Sequence, residues 1–246
     1  MPTPLSSILG GASAGQRRAT YVLTSSNASF PIPSWAQGGN GVIEVYGTAP
    51  GGSGAVGVDN SVGSRGGGGG AGAAACGLRI PIPAGTTTIA VVVGAQAIGP
   101  TATAMTNGTN GGDNSLTVGT ATLVLQGGGG GTSSAVGGPG GLPRPQANVA
   151  ASSSGFTDLT GYGLSIGQNG RRGNTSVDGF GAGAPSLHGN GGAGVTAPSV
   201  TVSTPGASAT GRGSGGAGAN YVTGAGVKAG DGAPGFWDLT FIEGAA

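Results

Sequence analysis

Leu123–Pro145 reads LVLQGGGGGTSSAVGGPGGLPRP. Its first four residues have the apolar, β-branched character of a strand. Glycine follows, in runs too long for a turn, and the fold depends on what those glycines are for. The chain holds 60 glycines in 246 residues, about a quarter, where ~7% is usual. Charged residues make up 7% and apolar residues 36%. Low charge with clustered Val, Ile and Leu argues against ordinary disorder, which needs high net charge and few apolar groups. The net charge of +1 gives no broad attraction to nucleic acid. One cysteine, Cys76, excludes an intrachain disulfide framework. No stretch reaches the ~18 apolar residues of a membrane span, so no membrane insertion is expected. The opening MPTPLSSILGGASAGQRR lacks the basic start and long apolar core of a secretory signal.

Working outward, the chain divides into three regions. Residues 1–19 are small and polar apart from Leu5, Ile8 and Leu9; they read as a floppy tail or as a peptide that orders on a partner. Residues 20–126 carry strand signals: TYVLTSS and NASFPIP as a first pair, then the alternating GVIEVYG, then CGLRIPIP and TTTIAVVVG joined by a short turn at Ala84–Gly85. NSLTV and ATLVLQ follow, with Gly119–Thr120 between them as a hairpin connection. GFWDLTFIEG, at the far C-terminus, reads as a strand returning to the same sheets. The expected fold is all-β: an antiparallel sandwich of residues 20–126 plus 236–246, closed by the C-terminal strand. Loops within 48–64 and 95–112 fall at the sandwich end in this reading.

Residues 127–235 show no helical period. They carry GGGGG, GGPGG, GNGGAG, GSGGAGAN and GAGVKAGDGAPG, and an outlying RGGGGGAGAAA sits at 65–75. Collagen needs glycine at every third position over a long run, and that register is not kept. A flexible linker would not be broken into separate motifs by a chain that must return to a sheet. The third option is an inserted bundle of polyproline II (polyglycine II) helices, with three residues per turn and no internal hydrogen bonds. Their backbone groups must pair with neighbours, and glycine lets the helices approach closely. On this reading the glycines are the packing surface.

Taken in order, GVIEVYGTAPGGSG, GGGGGAG, RIPIPAGTTTIAVVVG, NSLTV, the GGxGG motifs and GAPGFWDLTF resemble the glycine-rich tail proteins of tailed bacteriophages. The glycine-motif region also resembles the distal adhesins of T-even-like phages, which are sandwiches of polyglycine II helices. The resemblance covers about residues 20–243. It implies a virion tail-fibre or tail-tip adhesin whose inter-helix loops bind a host surface glycan or outer-membrane protein. It also implies a separate N-terminal attachment to other virion tail or fibre proteins, with homo-oligomerisation left open. The strand-rich region exceeds a simple attachment piece and 143–188 exceeds a typical inter-helix loop, so either end could face the host. The alternative is a purely structural virion component, such as a head decoration, head fibre or fibre connector.

Little in the sequence supports an enzyme. The one histidine, His188, has no acidic residue near it in sequence, and it cannot make a zinc site with Cys76 alone. The eight acidic residues are scattered, which disfavours a paired-carboxylate site. GRGSGG at 211–216 fits a dinucleotide pattern by chance and lacks its strand and helix. No catalytic residue, metal or cofactor is expected. Recognition is assigned instead to Phe156, Tyr162, Arg171, Arg172, Phe180 and His188, between glycine motifs. Aromatic faces beside Arg and His give an apolar platform with directional donors, suited to sugars or protein loops. Capping of the lattice is the plainer role for the same residues. Leu5, Ile8 and Leu9 are the expected virion anchor.

Overall fold

The computed structural model describes residues 16–58, 65–133, 164–165, 167–168, 170, 181–194 and 203–244. Leu5, Ile8 and Leu9 lie outside the described residues. The chain is all-β. In order it forms β1 (Arg18–Leu23), β2 (Asn27–Pro31), β3 (Gly41–Thr48), β4 (Val56–Val58), β5 (Ala74–Pro81), β6 (Thr88–Val92) and β7 (Thr101–Ala102). Then come β8 (Asn114–Val118), β9 (Ala121–Leu125), β10 (Leu164–Ser165), β11 (Ala219–Tyr221), β12 (Val227–Lys228) and β13 (Phe236–Glu243). Among the described residues the one helical element is a short 3-10 turn, Ser34–Ala36.

Two antiparallel sheets carry the side-chain core. One has the order β1-β13-β3-β5-β10, the other β2-β6-β8-β9. The C-terminal β13 lies between β1 and β3, with Phe241 opposite Ala19 and Ile43. Strict alternation on β13 turns Trp237, Leu239 and Phe241 inward, all fully buried. They join Ile43, Val45, Leu78 and Ile80 of the same sheet and Phe30, Ile89, Val91, Leu116 and Leu123 of the other in one cluster. Phe30 on β2 stacks on Phe241 at 6.3 Å, with Tyr21 edge-on to both. Trp237 Nε1 donates to Val92 O at 3.0 Å, tying the two sheets together.

One strand pairing differs from the sequence reading. β1 and β2 do not pair: β1 joins β13 and β2 joins β6, in different sheets. β5 and β6 also lie in different sheets, and Ala84–Gly85 does turn the chain between them, with Gly85 at φ +81. Both connections cross the core, so each strand buries its apolar side chains against the opposite sheet. The Gly119–Thr120 hairpin does pair β8 with β9, Val118 opposite Ala121.

The glycine-rich segments form extended rows beside these sheets, and their main-chain hydrogen bonds recur every three residues. In 51–56, Gly51 and Gly54 donate to Ala233 and Gly230, Gly52 and Ala55 to Gly70 and Gly67, and Ser53 and Val56 to Thr109 and Thr106. Residues 66–73 repeat the scheme: Gly66, Gly69 and Gly72 donate to Ala219, Gly216 and Gly213, while Gly67, Gly70 and Ala73 donate to Thr132, Gly129 and Gln126. The row 213–220 is bonded on all sides. It donates to Ala184 and Gly181, to Gly52 and Ala55, and to Ala207 and Thr204; it accepts from Gly66 and Gly69, from Gly230 and Ala233, and from Gly192. A Cβ built on Gly54, Gly69, Gly183 or Gly218 would lie under 3.0 Å from a backbone oxygen of an adjoining row. Backbone therefore touches backbone, where no side chain fits.

The rows hang from the sheets. Row 49–56 continues β3, row 126–133 continues β9, and rows 65–73, 106–113 and 229–235 run into β5, β8 and β13. Cross-row bonds place the opposite tips together: Val56 with Thr106, Gly66 with Ala219, Gly67 with Thr132, and Ala229 with Pro100. These tips make a second end of the molecule, remote from the large sheets. At the junction Asn114 is fully buried. Its Nδ2 donates to Thr48 O (3.1 Å) and Phe236 O (3.2 Å), and its Oδ1 accepts from Gly94 N at 2.8 Å.

Candidate functional site

The row tips converge on a small surface with its own core. Parallel β4 and β11 bring Val56 beside Ala219, and antiparallel β7 and β12 bring Ala102 beside Val227. Val56, Ala219, Val227 and Ala229 form a buried cluster with Ala102 and Tyr221 packed against it. The tips are fixed by side chains as well. Ser203 Oγ accepts from Val222 N (3.0 Å) and Thr223 N (3.2 Å), and Tyr221 OH donates to Gly224 O at 3.2 Å. Residues 94–100 form a further row, bonded to row 229–235 through Ala97 O and Pro100 O; this row exposes Ile98 (55%), and the segment that joins it to row 106–113 exposes Met105 (40%). Burial would raise the Asp231 carboxyl, but Lys228 Nζ (2.8 Å), Gly99 N (2.7 Å) and Ser208 together hold it below its ordinary value. The surface offers two exposed apolar side chains, a phenol, a paired lysine and several hydroxyls.

Of the residues assigned to recognition, Phe156, Tyr162, Arg171, Arg172 and Phe180 lie outside the described residues. Gly170 and Gly181, the described residues that flank 171–180, sit beside Gly68–Gly69 and Gly66, towards the remote end of row 65–73. His188 stands elsewhere, at the sheet end. Its main chain bridges to Arg212, and its ring meets Phe236 edge-on at 5.0 Å. The loops in 48–64 and 95–112 were expected at the sheet end. Their described parts run the length of the rows to the remote tip, where Val56 and Thr106 bridge. Small residues in APGGSGAV and NGTNGGD make this course sterically open. Sequence reasoning did not single out Ile98 and Met105; apolar residues inside the hydroxyl-rich AQAIGPTATAMT were the available signal.

Around His188 the outer face of the five-stranded sheet is polar. Arg79 Nη2 meets Glu44 Oε2 at 2.8 Å, opposite it in the β3–β5 register. Burial pushes the Asp238 carboxyl up, against a lowering by His188 and with a further rise from Glu44. Burial also pushes the Cys76 thiol up, away from the thiolate a nucleophile or metal ligand needs. Nearby a cavity of about 180 Å³ is lined by Ala71, Gly72, Gly167, Gln168, Ser186 and Leu187. Among the described residues no three His, Cys, Asp or Glu side chains are grouped to hold a metal ion. No described helix is long and apolar enough to cross a membrane. The chain matches no family model and no curated protein.

Proposed function

We propose that this protein is a virion tail-fibre or tail-tip adhesin without enzymatic activity, in which the glycine rows are polyglycine II helices. On this reading the two large sheets form a β-sandwich closed by β13, and the helix bundle carries inter-row segments to a receptor-facing tip. The observation that carries the reading is the three-residue recurrence of the row hydrogen bonds, combined with row 213–220 being bonded on every side. A three-residue turn without internal hydrogen bonds is what such a helix requires. Rows packed this way form a stiff stalk whose own surface is mostly backbone, so specificity passes to the segments at its tip. The sheets and residues 1–19 are then left to attach the protein to other virion proteins.

The test is binding of the purified chain to host cells and its ability to block adsorption. Tyr162→Ala, Phe180→Ala and Arg172→Ala, together with Met105→Ser at the remote end, are expected to weaken cell binding while the protein keeps its melting temperature. Truncating a central aromatic or arginine contact commonly costs ~2 kcal/mol, about thirtyfold in affinity. Isolated protein is the right reagent, because multivalent particles mask such losses. A parent chain that binds no cells and is found on the head by electron microscopy would make it a structural component instead.

A further inference from the structure

One exposed edge of the rows is finished by side chains. Gly127, Gly130 and Ser133 point their amide N–H groups off row 126–133, on a side where, among the described residues, no further row supplies carbonyls to them. Asp113 Oδ1, Asn110 Oδ1 and Asn107 Oδ1 accept these three at 3.0, 2.8 and 2.8 Å. The acceptors are spaced i, i+3, i+6 along row 106–113, and the donors have the same spacing in the opposite direction. Between them the main chains of the two rows bond directly, Gly108 N to Gly131 O and Gly111 N to Gly128 O, both 2.9 Å. One row therefore supplies a neighbour's bonds twice, through its main chain and through a ladder of side-chain oxygens.

We propose that Asn107, Asn110 and Asp113 form an edge cap that takes the place of a missing row and keeps row 126–133 from pairing with a glycine row of a second copy of this chain. An uncapped row presents amides at the repeat of every other row in the molecule, which is the template problem of an open sheet edge. Short side chains with an oxygen two bonds from Cβ reach one row over and no further. The three-residue spacing N-x-x-N-x-x-D is needed because only every third amide faces that side.

The experiment uses the full chain carrying Asn107→Ala, Asn110→Ala and Asp113→Ala together. Each change keeps the Cβ already present and removes the side-chain acceptor together with the rest of its amide or carboxylate. Amide hydrogen exchange should quicken about tenfold at Gly127, Gly130 and Ser133, the factor expected of one such hydrogen bond. Gly128 and Gly131, bonded to Pro50 O and Ser53 O, should change less. Sedimentation should show concentration-dependent association beyond that of the parent. If the triple variant is insoluble, Asn110→Ala alone should show the same change at Gly130, and Asn110→Asp, which keeps the oxygen, should behave as the parent. Parent-like exchange, faster exchange without association, or association by Asn110→Asp equal to that of Asn110→Ala would each overturn the proposal.

Discussion

The sheets and the glycine rows solve the same problem in opposite ways. Both must pair every buried main-chain group and exclude water. In the sheets each interior strand bonds to two neighbours in one plane, and the remaining space is filled by large side chains such as Trp237, Phe241 and Ile43. In the rows the main chain bonds outward in several directions, and the space between chains is closed by removing side chains. The first region is stabilised mainly by burial of apolar area. The second gains little from that source and must offset the backbone entropy of glycine through density of hydrogen bonds and close contact. Sensitivity to mutation therefore inverts between the regions: the sheets are damaged by making residues smaller, the rows by making them larger.

The largest expected effects test that inversion directly. Trp237→Ala should cost ~3–5 kcal/mol, read as a fall in denaturation midpoint, because it opens a cavity in a fully buried core and removes the bond to Val92. Gly192→Val, Gly215→Val and Gly216→Val should each cost ~1–3 kcal/mol or more, seen as loss of soluble protein or of melting temperature. Their built Cβ positions fall under 3.0 Å from main-chain oxygens of Ala207, Gly69 and Gly230, which cannot rotate away. Parent-like melting for all three valine variants would return these segments to the status of loops.

An intermediate effect belongs to the seam between the regions. Asn114→Ala leaves Thr48 O, Phe236 O and Gly94 N without their side-chain partner at a buried site. Leaving such groups unsatisfied costs about 2 kcal/mol, measurable by chemical denaturation. A neutral result would show that the rows and sheets are joined by main-chain continuity alone.

The smallest effects concern two carboxylates, one in each region, with opposite signs. Asp231, in a row, has a lowered pKa, so its contribution is present above the ordinary carboxylate value and is lost as the pH falls through the folded value. Asp231→Asn should therefore be less stable than the parent near neutrality, and the gap should close in acid. Asp238, on the sheet, has a raised pKa through burial. Its contribution is greatest below the unfolded value and is lost as the pH rises through the folded one. Asp238→Asn should equal or exceed the parent near neutrality and fall relative to it in acid. Melting curves of the two variants from about pH 3 to 7 check both signs, and matching profiles would contradict the assignment.

How much of this could be read in the sequence also differs between the regions. The long strands were legible because alternation and β-branched residues mark a half-buried face, as in GVIEVYG and FWDLTFIE. Their partners were less so, since a short turn serves a hairpin and a crossover equally well. Central rows were visible as glycine runs: a row contacted on all sides needs a small residue at nearly every position, as in GSGGAGAN. RGGGGGAGAAA, an outlier in the sequence, proves to be such a central row. Outer rows were hidden. In NGTNGGD only the positions facing inward must be small, so Gly108 and Gly111 recur at three while Asn107, Asn110 and Asp113 occupy another face. Rows 94–100 and 106–113 thus look like ordinary polar loops. His188 was grouped with the inter-motif residues by sequence proximity, but the turn at 186–189 carries it back to the sheets.

Backbone packing in the rows sets the sign of one measurable change. Where the backbone conformation suits alanine and a methyl group has room, Gly→Ala stabilises a protein by ~0.4–1 kcal/mol by restricting the unfolded chain. Gly38, whose built Cβ meets nothing within 4 Å, serves as the control, and Gly38→Ala should be neutral or stabilising. Gly54→Ala, Gly69→Ala and Gly218→Ala should instead lower the denaturation midpoint, because backbone of another row already occupies the space. If those three alanine variants melt at or above the parent, as the control does, then the rows are not packed backbone against backbone and the account fails.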